Sequence, residues 1–65
     1  METNIYKQFV RMTWLGPVYL VRSVYADGRI CWGVSEPGGC CLLGSDIANA
    51  IRLAEGKPVQ YAPSN

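Results

Sequence analysis

The sequence predicts a small α+β domain, and two observations carry that prediction. Two runs rich in β-branched and aromatic residues, 18–25 and 29–35, flank the turn signal Ala26-Asp27-Gly28, which is the pattern of a β-hairpin. Residues 46–55 then show apolar side chains at helical spacing. A chain of 65 residues has room for one hydrophobic core, so we expect a single domain over residues 1–65, with the hairpin packed on that helix.

The first element, residues 4–15, has two interpretations. Asn4, Lys7, Gln8 and Arg11 are spaced as one polar face of a helix, and Gly16 would end it. This interpretation gives the element order α-β-β-α-β. The alternative is a strand and the order β-β-β-α-β, because the same segment is rich in residues that favour strands, namely Ile5, Tyr6, Phe9, Val10, Thr13 and Trp14.

The central hairpin predicts its own register. A type I turn followed by Gly28 in a left-handed conformation pairs Leu20 with Val34, Arg22 with Trp32 and Val24 with Ile30. A two-residue turn would shift the pairing by one and mix the two faces. The predicted core face contains Leu20, Val24, Ile30, Trp32 and Val34, and the opposite face contains Tyr19, Val21, Ser23, Tyr25, Arg29, Cys31 and Gly33.

The second half of the chain contains a breaker, a helix and a short tail. Residues 36–39 redirect the chain, and residues 40–43 fit either a short strand or a buried connector. Ser45 is the expected N-cap and Gly56 the expected stop of the helix. The tail at 59–62 alternates like a short edge strand after Pro58. The apolar stripe of the helix is Ile47, Ala50, Ile51 and Ala54.

The side chains that carry most enzyme chemistry are scarce. There is no histidine, which removes the commonest general base and metal ligand. Cys31, Cys40 and Cys41 lack metal-ligand or redox spacing, so we expect reduced, buried thiols without disulfides. The chain is therefore predicted to be non-enzymatic, with no cofactor and no metal site.

Charge and hydropathy restrict the partners. A net charge of +1 with scattered basic residues does not favour nucleic acid, which requires a concentrated positive patch. No signal-peptide pattern and no long apolar run is present. We therefore expect a cytoplasmic protein with no membrane contact.

By elimination, the predicted function is binding to a larger protein. The chain could also associate with copies of itself into a homo-oligomer. The predicted partner-binding residues are Tyr19, Tyr25 and Arg29, because Tyr and Arg are enriched at interface centres. The polar set Lys7, Gln8 and Arg11 is the second choice. By analogy of size alone, the chain could be a phage or mobile-element accessory protein, an inhibitor of a host complex as anti-CRISPR proteins are, or a regulatory subunit. The alternative is weak RNA or single-stranded DNA binding by the same Tyr and Arg side chains.

Overall fold

The computed structural model describes residues 3–58. Four strands form an antiparallel sheet in the order of the sequence, β1-β2-β3-β4, and one helix follows them. The small α+β class is therefore as predicted, with more sheet than expected. The elements are β1 (Asn4–Thr13), β2 (Gly16–Val24), β3 (Ile30–Glu36), β4 (Gly39–Gly44) and α1 (Ile47–Ala54). The tail strand predicted at 59–62 lies outside the described residues.

The N-terminal helix prediction is wrong, because residues 4–13 form an edge strand. A β-bulge between Phe9 and Arg11 accounts for one part of the helical spacing, because it places Arg11 on the same side of the sheet as Gln8. The bulge adds Val10 to β1 without a partner on β2, which interrupts the two-residue alternation. Val10 then packs on the core and Arg11 reaches α1. Gly16 does not end a helix but begins β2 with a positive φ of 138°.

The central hairpin has the predicted register. Leu20 faces Val34, Arg22 faces Trp32 and Val24 faces Ile30. The turn is closed by hydrogen bonds from the Tyr25 amide to the Arg29 carbonyl and from the Gly28 amide to the Tyr25 carbonyl, both 2.9 Å long. Gly28 has a φ of 90°, the positive value for which glycine is suited.

Residues 39–44 form a fourth strand, which settles the choice left by the sequence. β4 pairs with β3, and a second irregularity lies between Trp32 and Gly33. The element order of the described chain is therefore β-β-β-β-α. Neither sequence-based order contained this additional strand.

The helix begins at a different cap from the one expected and ends where expected. Its N-cap is Asp46 rather than Ser45, and the Asp46 carboxylate accepts hydrogen bonds from the Asn49 amide (3.0 Å) and the Asn49 side chain (2.7 Å). At the other end, the Gly56 amide donates to the Leu53 carbonyl and the Lys57 amide to Arg52. Gly56 has a positive φ of 80°, so the predicted glycine stop is correct and forms a Schellman motif.

The core is small and lies where α1 covers β2 and β3. Val18, Val34 and Ala54 form its centre, with Val10 and Leu53 packed against them. Trp32 was expected in this core but is only half-buried. The two isoleucines of the helix, Ile47 and Ile51, are 42% and 40% exposed. An eight-residue helix is too short to cover the whole sheet, so the predicted core residues beyond its reach remain accessible.

Candidate binding surface

The sheet face opposite α1, called here the open face, exposes several large apolar side chains. No described element packs on it, and four of its apolar side chains are more than half exposed: Ile5, Phe9, Met12 and Leu42. The strand register also places Tyr19, Val21, Ser23, Cys31 and Cys40 on this face. Val21 and Ser23 are buried beneath their neighbours, so the exposed side chains surround a closed centre. A helix at residues 4–15, as expected from the sequence, would have been able to cover this face. Because this segment is a strand, it extends the face instead.

Tyr19 lies in the middle of the open face. Its ring contacts Phe9 edge-to-face, with centroids 6.0 Å apart and an interplanar angle of 76°. Such pairs stabilise by about 0.5–1.5 kcal/mol beyond area burial. The cross-strand row continues from Tyr19 through Ser35 to Cys40, so an aromatic centre is flanked by small side chains.

Tyr25 and Arg29 lie together, but far from Tyr19. The Arg29 guanidinium is 5.9 Å from the Tyr25 ring centroid, and its Nε is 2.6 Å from Asp27 Oδ2. The two tyrosines are six positions apart in the sequence, or about 20 Å at the rise of a β-strand. The three predicted site residues therefore share one face, with Tyr19 in its middle and the Tyr25 and Arg29 pair at the turn.

The second-choice set of Lys7, Gln8 and Arg11 does not form one surface. The register places Lys7 opposite Val21 on the open face and Gln8 opposite Leu20 on the helix side. Arg11 donates from Nε to the Ala54 carbonyl at 2.8 Å. That set depended on a helix, and the strand separates its members.

The cysteines are not the buried hydrophobic residues that the sequence suggested. All three are free thiols, with Cys40 and Cys41 exposed and Cys31 half-buried. Because β4 is an edge strand, no described strand pairs with its outer side. Cys40 faces Ser35 on the open face, whereas Cys41 faces the core residue Val34 on the helix side.

Sequence reasoning missed the N-terminal contribution to the open face. Ile5 and Phe9 lie on one face of a strand, but Lys7 between them interrupts the apolar alternation that identifies a strand. Their strand propensity was the one local signal of this face.

Residues 3–58 contain no group of three or more side chains that could hold a metal ion. The described segment also has no helix of the length and apolarity that crossing a membrane requires. Comparisons with protein-family models, curated proteins and solved structures found no match. The assignment of function therefore depends on the chemistry of the described residues.

Proposed function

We propose that this chain is a non-enzymatic binding module whose open face contacts the apolar surface of another protein. The observation that supports this proposal is the exposure of Ile5, Phe9, Met12 and Leu42 on one sheet face, at 54–65% each. Apolar side chains exposed together on one face mark interaction surfaces when the patch that they form is large. Tyr19 in their midst supplies the aromatic contact typical of interface centres.

The charge of the open face favours protein over nucleic acid. On the open face, Lys7 is the basic residue of β1. Arg29, at the turn between β2 and β3, is already paired with Asp27. Nucleic-acid affinity depends on several phosphate contacts, which this face does not offer. The Tyr25 and Arg29 pair extends the proposed surface at the turn. An inhibitory or regulatory role, and a phage or mobile-element source, remain predictions from size.

The adjacent thiols provide a direct test. Cys40 is on the open face and Cys41 on the helix side, and both are exposed. A protein captured by the tagged chain is purified, and each thiol is alkylated with and without it, using the Cys40→Ser and Cys41→Ser variants to separate the signals. We expect the partner to slow alkylation of Cys40 and leave Cys41 unchanged. Equal protection of both, or protection of Cys41 alone, would overturn the proposed surface.

Variants on the two faces provide a second measurement. Phe9→Ser should weaken binding of that partner by about 2 kcal/mol if Phe9 lies at the interface centre. Ile30→Ser is the matched control, because Ile30 is 42% exposed but lies on the helix-side face. Light scattering of the chain alone determines whether the occupant is a second copy. A dimer dissociated by Phe9→Ser supports the surface and identifies its occupant.

A further inference from the structure

Tyr6, Arg22 and Trp32 form a row across three strands on the helix-side face. Arg22 pairs with Tyr6 of β1 and with Trp32 of β3. Its guanidinium carbon is 4.7 Å from the centroid of the Tyr6 ring, a cation–π distance. The ring of Tyr6 therefore holds the guanidinium in place. The row of Arg22 and Trp32 is next, on this face, to the row of Leu20 and the core residue Val34.

Arg22 has no carboxylate partner among residues 3–58. The ion pairs of this region are Asp27 with Arg29 and Glu55 with Lys57. The side chains of Gln8 and Trp32, on the same face as Arg22, likewise make no hydrogen bond with a described residue. Hydrogen-bond donors from three strands are therefore available together.

These side chains line an open groove. One part, of about 230 Å³, is lined by Tyr6, Lys7, Gln8, Leu20, Arg22 and Trp32. The adjoining part, of about 350 Å³, shares Gln8 and Leu20 and continues along apolar side chains to the end of α1. Its other lining residues are Phe9, Val10, Ile51, Ala54 and Glu55. One end of the groove is thus cationic and aromatic, and the other is apolar.

We propose that this groove binds a carboxylate carried on a branched aliphatic group, such as a chain-terminal leucine or a free branched acid. A guanidinium offers parallel donors that match the two oxygens of a carboxylate. With the carboxylate on Arg22, the aliphatic group extends past Leu20 toward the part of the groove lined by Val10 and Ile51. The groove touches the open face only along β1, at Lys7 and Phe9. The proposal rests on Arg22 and its neighbours on the helix-side face, so it does not depend on the function proposed for the open face.

The groove does not suit a polyanion. Its two cations, Arg22 and Lys7, line the same part of the groove, whereas the adjoining part is lined by apolar side chains and Glu55. A second phosphate placed along the groove would therefore leave the cations and approach Glu55. Like charges at short range disfavour binding. A ligand with a single carboxylate and an apolar body would place the carboxylate on Arg22 and the apolar body in the apolar part of the groove.

Trp32 provides the readout. In a Trp14→Phe background, Trp32 is the one indole of the chain, and Trp14 is 93% exposed, so the replacement should not alter folding. The fluorescence of Trp32 is titrated with N-acetyl-leucine and with its neutral amide. We expect saturable binding of the acid, and at least about fivefold weaker binding of the amide because the charge-assisted hydrogen bonds are lost. Titration with 4-methylpentanoate distinguishes a free acid from a peptide terminus, which alone offers an amide to Gln8.

Two arginine variants complete the test. Arg22→Gln should weaken binding of N-acetyl-leucine at least about fivefold, since it removes the charged donor. Arg29→Gln is the matched control, because Arg29 also lies over a tyrosine ring but is outside the groove. Equal binding of acid and amide, an unaffected Arg22→Gln variant, or tighter binding of oligothymidylate than of the acid at physiological salt would overturn the proposal.

Discussion

The Nε of Arg11 donates a hydrogen bond of 2.8 Å to the main-chain carbonyl of Ala54, joining the edge strand to the last turn of the helix across 43 positions of sequence. The same guanidinium packs against Gly56, where an added Cβ would lie 3.0 Å from its terminal nitrogen. A cation at this end complements the helix dipole and satisfies a carbonyl that has no partner within the helix. The contact is long-range, so it anchors α1 on the sheet.

Arg11→Gln is therefore expected to destabilise the protein by about 1–2 kcal/mol, the contribution of a charge-assisted hydrogen bond at a helix terminus. In a domain of this size, each kcal/mol lowers Tm by about 4–8 °C. Thermal unfolding followed by circular dichroism measures the effect. Arg22→Gln is the control, since the Arg22 guanidinium lies over the Tyr6 ring of the sheet rather than on a helix carbonyl. An equal loss in both variants would contradict the anchoring role.

Gly33 is expected to tolerate no side chain. A Cβ at this position would lie 2.8 Å from the Cys41 carbonyl oxygen and 3.0 Å from a methyl of Leu42. The carbonyl belongs to the backbone of β4, so relief requires the strand to move. Gly33→Ala should destabilise by about 1–3 kcal/mol, as overpacking does.

Gly39→Ala is the matched control for that prediction. Gly39 also lies in β4, has no positive φ and has open space where its Cβ would be. We expect it to be neutral or slightly stabilising, because alanine restricts the unfolded chain. Denaturant unfolding of both variants measures the difference, and similar midpoints would show that β4 adjusts freely.

The helix N-cap offers a direct contrast between sequence and structure. Asp46→Ala should destabilise by about 1 kcal/mol, because its carboxylate accepts from the Asn49 amide. Ser45→Ala, at the position that the sequence favoured, should leave Tm unchanged. Thermal unfolding of the two variants tests the assignment, and a larger loss from Ser45→Ala would restore the sequence-based N-cap.

The parts of the fold that depend on local chemistry were predictable from the sequence. Gly28 is tied to one turn, and that turn determines which residues of β2 and β3 face each other. The glycine stop at Gly56 is equally local. These features require contacts only between near neighbours, so a single sequence is sufficient to specify them.

The N-terminal segment was not predictable in the same way. β1 is an edge strand whose first six residues, Asn4 to Phe9, are all exposed, so neither face produces a clear apolar alternation. The bulge at Val10 then places Val10 and Arg11 toward α1. Those contacts join the two ends of the described chain, and local patterns contain no information about them.

The candidate site was likewise predictable where it depends on the local hairpin and not where it depends on β1. Because the hairpin register was correct, Tyr25 and Arg29 are together at the turn as expected. Tyr19 shares their face but lies with Phe9, whose position depends on the unpredicted strand. The row of Tyr6, Arg22 and Trp32 depends on β1 for the same reason.

Trp32 and Val34 provide the final prediction. Both are on the helix-side face of β3, but Val34 is fully buried under α1 whereas Trp32 is half-buried at the groove. Removing two methyl groups from a closed core leaves a cavity, so Val34→Ala should destabilise by about 2 kcal/mol.

Trp32→Ala removes more atoms, but solvent already reaches the site. We therefore expect it to cost less than the roughly 3–5 kcal/mol typical of a core tryptophan and to leave a cooperative unfolding transition. Chemical denaturation followed by far-ultraviolet circular dichroism compares the two variants. An unfolded Trp32→Ala protein beside a folded Val34→Ala protein would place the core at Trp32, as the sequence alone suggested.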